Sequence, residues 1–177
     1  MIDWKQNGDR RFRDLTVWMV TGVLVLALLS IHLPSLASVT KLSPETKAYL
    51  LRENAFGEIS SVKDIPASVL AKFAEIAKDP NIKIANPGEK FQATDVIYEK
   101  GLPSRRLIWG GLSKEYCVVH YEQGGYAHSF RVILFRRSGN DATFLWGGAI
   151  LDRIKNLLDF RNLLKEDVLD DTLDYYW

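Results

Sequence analysis

Hydrophobic and polar positions divide this chain at about residue 40. From Leu15 to Thr40 there are 26 residues without Asp, Glu, Lys or Arg, centred on the Leu- and Val-rich stretch Val23 to Leu29. Residues 17–29 show no polar face. A run of this kind is long enough for the roughly 20 residues that span a bilayer. Beyond it the pattern changes to short periodic runs broken by Gly, Pro, Asn and Asp, the signature of a folded domain.

Within that domain the periodicity predicts two helices, then strands, then a last helix. Lys41 to Asn54 reads as a helix capped by Ser43, with Pro44 and Glu45 in its first turn. Ala55 to Asp64 reads as a connector. In Pro66 to Lys78, residues Val69, Leu70, Phe73, Ile76 and Ala77 form one apolar stripe, and Asp79-Pro80 ends the helix. After the turn Asn86-Pro87-Gly88, Phe91 to Tyr98 reads as a first strand. Leu107 to Leu112, Glu115 to Glu122, Ala127 to Arg136 and Ala142 to Trp146 follow as β-branched and aromatic runs. Breaks this short permit only antiparallel hairpins. Ile150 to Lys165 closes the series as a helix with a break near Asn156 and with Leu151, Ile154, Leu158, Phe160 and Leu164 facing inward. The fold class is therefore α+β: an amino-terminal transmembrane or signal helix, two helices, a four- to five-stranded antiparallel meander and a carboxy-terminal helix, with helices on one sheet face.

Register follows from Gly124-Gly125. If these are the two central residues of a primed turn, Tyr121 falls opposite His128, His120 opposite Ser129 and Val119 opposite Phe130. Cys117, Val119, Tyr121, His128, Phe130, Val132 and Leu134 then share the core face. The other face carries His120, Glu122, Ser129 and Arg131, with Glu122 solvated near the turn. A short echo, Leu107-Ile108-Trp109-Gly110-Gly111 against Phe144-Leu145-Trp146-Gly147-Gly148, is too brief for a repeat and reads as strand positions where glycine permits a bulge or a close neighbour.

Charge refines this picture in two places. The first fourteen residues hold four basic and three acidic side chains; outside them 19 of each sign remain, so the body is neutral. A neutral body lacks the basic footprint of a nucleic-acid partner. The basic residues before the apolar run put residues 1–14 in the cytoplasm, make 15–40 a signal-anchor or signal peptide, and leave 41–177 as an extracytoplasmic domain. The competing reading is cleavage after Ala37, at Ser35-Leu36-Ala37, releasing a secreted or periplasmic protein. The single cysteine, Cys117, lies in an apolar strand and reads as a small buried hydrophobe.

Candidate chemistry is sparse. Asp170-Asp171-Thr172-Leu173-Asp174 spells an acidic diphosphate-binding pattern, but it occupies a short acidic tail without a second acidic motif. His120 and His128 point to opposite faces in the register above and His32 lies in the apolar run, so no metal or cofactor site is expected. His120, Glu122, Ser129 and Arg131 remain as the candidate ligand-binding set, and no residue is assigned a catalytic role. They supply donors for an anionic or polar ligand; catalysis by a His120 and Ser129 pair, as in a small hydrolase, is the alternative. The expected function is a membrane-tethered extracytoplasmic binding or accessory module, partnered by the membrane and by either a protein or a small polar ligand.

Overall fold

The computed structural model describes residues 41–96, 99–126, 128–150 and 152–169. The apolar run and the acidic tail lie outside these residues. No helix among the described residues is long and apolar enough to cross a membrane.

The elements are α1 (Pro44–Leu50), β1 (Gly57–Ile59), a 3-10 turn (Val62–Asp64), α2 (Ala67–Ile76), β2 (Ile84–Ala85), β3 (Arg105–Leu112), β4 (Tyr116–Gln123), β5 (Ser129–Ser138), β6 (Asp141–Ile150) and α3 (Leu157–Lys165). The fold is α+β, as the periodicity predicts. Strands β3 to β6 form an antiparallel meander. Two short strands extend it along the outer edge of β3, β1 antiparallel at one end and β2 parallel at the other. Ser43 caps α1 by accepting from the Thr46 amide, and Asn156 caps α3 by accepting from the Asp159 amide, so the helix expected from Ile150 begins only at Leu157: Ile150 ends β6, and the described residues 152–156 are not helical. The connector forms β1 and the 3-10 turn. Phe91 to Tyr98 does not form the expected strand: of its described residues 91–96, Thr94 alone makes a β-bridge, to Gly125.

Helices cover both faces of the sheet, not one. On the first face α2 packs Val69, Phe73 and Ala77 against Leu107, Cys117, Val119, Tyr121, Ile133 and Phe135. On the second, Leu50 of α1 and Phe160 and Leu164 of α3 pack with Trp109, Val118, Val132, Leu134 and Trp146. Cys117 is buried, as expected, and burial pushes its thiol up to about 12. Leu158, expected inward, is 62% exposed.

The Gly124-Gly125 turn is also not as expected. Strand pairing closes at Gln123 with Ser129, and Tyr121 faces Arg131, Val119 faces Ile133 and His120 faces Val132. The reason lies in the segment before β3. The Gly124 amide donates to the Ser104 carbonyl, and a Cβ on Gly124 would fall on the Gln92 carbonyl oxygen. Gly124 therefore prolongs the strand beneath residues 92–94, and Gly125 takes a φ of 124° beside Thr94. The register differs from the expected one by three residues. Because three is odd, β5 turns over: Phe130, Val132 and Leu134 lie on the second face and Ser129 and Arg131 on the first.

The Trp-Gly-Gly echo has structural content. In β3 the pairing skips Ile108, and in β6 it skips Leu145, so each copy carries a β-bulge one residue before its tryptophan. Each bulge puts two successive residues, Ile108 with Trp109 and Leu145 with Trp146, into the second-face core. Gly110 and Gly111 follow because a Cβ there would lie 3.1 Å from Ile59 and 3.2 Å from Phe56 respectively.

Candidate functional site

The four predicted site residues do not lie on one face. His120 and Glu122 stay together on the second face, while Ser129 and Arg131 have moved to the first. Nor is the second face solvated: it is a core.

His120 is fully buried and both its ring nitrogens are occupied. Nδ1 lies 2.9 Å from the Arg131 carbonyl, and Nε2 lies 3.2 Å from the Ile154 amide nitrogen. A carbonyl can only accept and an amide N–H can only donate, so these partners fix the neutral tautomer with its proton on Nδ1. Trp109 Nε1 donates to the Ile154 carbonyl at 2.9 Å, so the sheet holds both backbone groups of Ile154. Burial drives the His120 pKa down to about 4, against the weaker upward pull of the Arg131 carbonyl. Arg153 lowers it further and Glu122 raises it. With no nitrogen free and Ser129 on the other face, His120 is a structural fastener for the segment leading into α3.

Glu122 has the more distinctive surroundings. It is 4% exposed, and the chain provides two partners: Arg106 Nε donates to Oε1 at 2.7 Å, and His128 Nε2 lies 2.9 Å from Oε2. Register explains the first contact, since Arg106 sits directly opposite Glu122 on β4. His128 comes from the five-residue connection to β5. Arg106 also donates to the Glu89 carbonyl at 2.9 Å and lies over the Phe91 ring, 4.3 Å from its centre. Phe91 and Phe130 approach the His128 ring at 6.0 and 5.2 Å. A buried carboxylate thus anchors a guanidinium that is stacked on an aromatic ring.

Beside this cluster lies a cavity of about 510 Å³. Phe91, Leu102 and Arg106 form its inner wall and Lys90, Thr94 and Glu99 its rim. Gln92 holds the loop in shape, its Nε2 donating to the carbonyls of Thr94 and Val96. Lys90 and Glu99 form an exposed ion pair at 3.4 Å. The size suits a small molecule, and the wall offers one aromatic face and one fixed cation. Sequence reasoning placed Glu122 here but missed Arg106, Phe91 and His128. The pairing of Arg106 with Glu122 followed from opposite charge across β3 and β4 once their register was known; the contribution of Phe91 needs the loop.

At the same sheet end the first face carries a second polar group. Arg105, Gln123 and Ser129 sit in one cross-strand row, with Tyr121 and Arg131 paired in the next. Arg105 Nη1 donates to Asp79 Oδ2 at 3.2 Å, and Arg131 Nε donates to Ser129 Oγ at 3.3 Å. Burial raises the Tyr121 hydroxyl to about 12, opposed by the charges of Arg131 and Arg105. Among the described residues no group of three His, Cys, Asp or Glu side chains converges as metal ligands. Comparison of the chain with protein-family models, with curated proteins and with solved structures finds no match in any of the three.

Proposed function

We propose that this chain is a membrane-tethered extracytoplasmic binding module, and that it takes a small ligand with an aromatic or apolar body and a carboxylate in the cavity beside Phe91. The tether rests on the 26 charge-free residues from Leu15 to Thr40 and the basic residues before them. The binding role rests on one observation: Arg106 is held over Phe91 by the buried Glu122, so a cation and an aromatic wall stand fixed at the edge of a ligand-sized space. Preorganisation of this kind lowers the entropic cost of binding.

The test has two arms. Alkaline carbonate extraction of native membranes followed by intact mass should leave the full chain in the pellet; a soluble product beginning at Ser38 overturns the tether. Saturation-transfer NMR on the detergent-solubilised chain should then give contact with benzoate and not with benzylamine, lost in Phe91→Ala. Equal response to both probes, or to neither, overturns the site.

A further inference from the structure

Glu122 meets two partners on two different oxygens, and the partners differ in charge. Arg106 Nε donates to Oε1 from a side chain that is always cationic, whereas His128 Nε2 lies against Oε2 on a ring that is cationic only when both nitrogens are protonated. A carboxylate can only accept, so the neutral ring keeps its proton on Nε2 and its lone pair on Nδ1. The His128 side chain is 43% exposed, so a second proton can reach it from water while Glu122 stays buried.

With His128 neutral, the single charge of Glu122 is matched by Arg106 alone. With His128 protonated, one carboxylate faces two cations, and the three groups together carry one uncompensated positive charge. Because the two donors occupy different oxygens, His128 takes up that charge without displacing Arg106 from its place over Phe91. Arg106 commits Nε to Glu122 and Nη1 to the Glu89 carbonyl, so its Nη2 is the group left to meet a ligand in the cavity.

We propose that His128 is a positioning residue which, through Glu122, sets the affinity of the Phe91 cavity for a carboxylate, so that this ligand is held more tightly in mild acid than at neutral pH. The inference rests on the carboxylate-binding reading of that cavity. The neighbouring charges do not supply the same response. Burial keeps His120, on the same strand as Glu122, neutral down to about 4, and the Arg153 that acts on it is always cationic. The side chain and amide of Asn86 hold the Glu89 carboxyl below its usual range, and at the rim Lys90 and Glu99 pair with each other. An ordinary histidine gains its second proton near pH ~6.5, between the neutral and the mildly acid condition.

The test is calorimetric titration of the full chain in a non-ionic detergent with sodium benzoate, at pH 7.5 and pH 5.5 and matched ionic strength. Carboxyl groups of this kind titrate near ~4, so the probe stays anionic at both values. Affinity should rise about three- to tenfold at the lower pH, the size expected of one partly screened charge close to the ligand. His128→Gln retains an amide that can donate to Glu122 but cannot take up charge, and its affinity should not differ between the two values. Wild-type affinity that is equal at the two values, or lower in acid, overturns the role of His128 and leaves the carboxylate site standing. A gain in acid that persists in His128→Gln overturns it as well. Absence of benzoate binding at both values overturns the carboxylate reading and the inference with it.

Discussion

The two layers that cover the sheet are held by different means. The α2 layer is an apolar stripe on one continuous helix: Val69 and Phe73 are fully buried, and the Phe73 ring meets Tyr121 at 5.1 Å and Phe135 at 6.4 Å. The α1 and α3 layer adds polar fasteners to its apolar contacts. His120 and Trp109 grip the two backbone groups of Ile154, Arg161 Nε donates to the Leu50 carbonyl at 3.1 Å, and Lys47 pairs with Asp167. The first layer gains mainly from apolar area, with the Arg105 to Asp79 ion pair at the end of α2 as its polar contact. The second depends on the protonation and exact identity of single side chains, so it is the layer that acid or a conservative substitution can release.

The largest expected effect tests the apolar layer. Phe73→Ala should destabilise by ~3 to 5 kcal/mol in urea titration, the range for emptying a fully packed aromatic site. A loss under about 1 kcal/mol would mean that α2 does not hold the sheet.

Acid should act on the other layer. The folded pKa of His120, about 4, lies below its ordinary 6.5, so the neutral ring contributes stability that is complete above pH 6.5 and drains as pH falls toward 4. The loss over that window is about 3 kcal/mol. Urea midpoints at pH 7 and pH 4 for the wild type and His120→Gln measure it: the variant should lack this component of the difference. Identical pH dependence in the two proteins would remove His120 from the account.

The two tryptophans of the echoed motif give a finer contrast. Trp109→Phe strands the Ile154 carbonyl and should cost ~1 to 2 kcal/mol beyond lost area. Among the described residues Trp146 Nε1 has no hydrogen-bond partner, so Trp146→Phe should remove none and should cost less by about that amount. Equal losses would show that the Ile154 contact contributes nothing. Smallest of all, Leu158→Lys on the outer side of α3 should stay within ~0.5 kcal/mol.

What the sequence disclosed follows the same division. The α2 stripe, the Ser43 cap, the helix over Leu157–Lys165 and the four long strands are written in local periodicity and were legible, whereas the helical reading of 150–156 was not borne out. The face assignment was not, because it depended on Gly124, whose lack of a side chain serves the passage of Gln92 and not a two-residue turn. That contact joins residues more than thirty apart and leaves no local trace. The consequence reached the candidate site directly: a three-residue change in pairing separated Ser129 and Arg131 from His120 and Glu122. Phe130 and Val132 moved with it, from the expected core beside Val119 to the layer under α3. Glu122, expected in solvent, is buried because Arg106 and His128 close over it. The two-sided covering of the sheet was legible in retrospect, since Tyr116, Val118 and Ile133 are apolar and alternate onto the face assigned to solvent.

The paired bulges bear on how this sequence can change in length. Each one is a single surplus residue that inverts the in-and-out alternation of its strand, so Leu107 and Trp109, two positions apart, belong to opposite layers. Removing Ile108 would send the residues on one side of the gap to the wrong layer, exchanging Arg105 with Arg106 and dismantling both polar clusters in one event. Removing Leu145 would do the same to β6. A second single-residue change elsewhere cannot repair either loss unless it falls within the same strand and restores the count. Insertions and deletions should therefore be confined to the hairpin connections, and the spacing from each bulge to its tryptophan should be held more strictly than the identity of the residue that forms it.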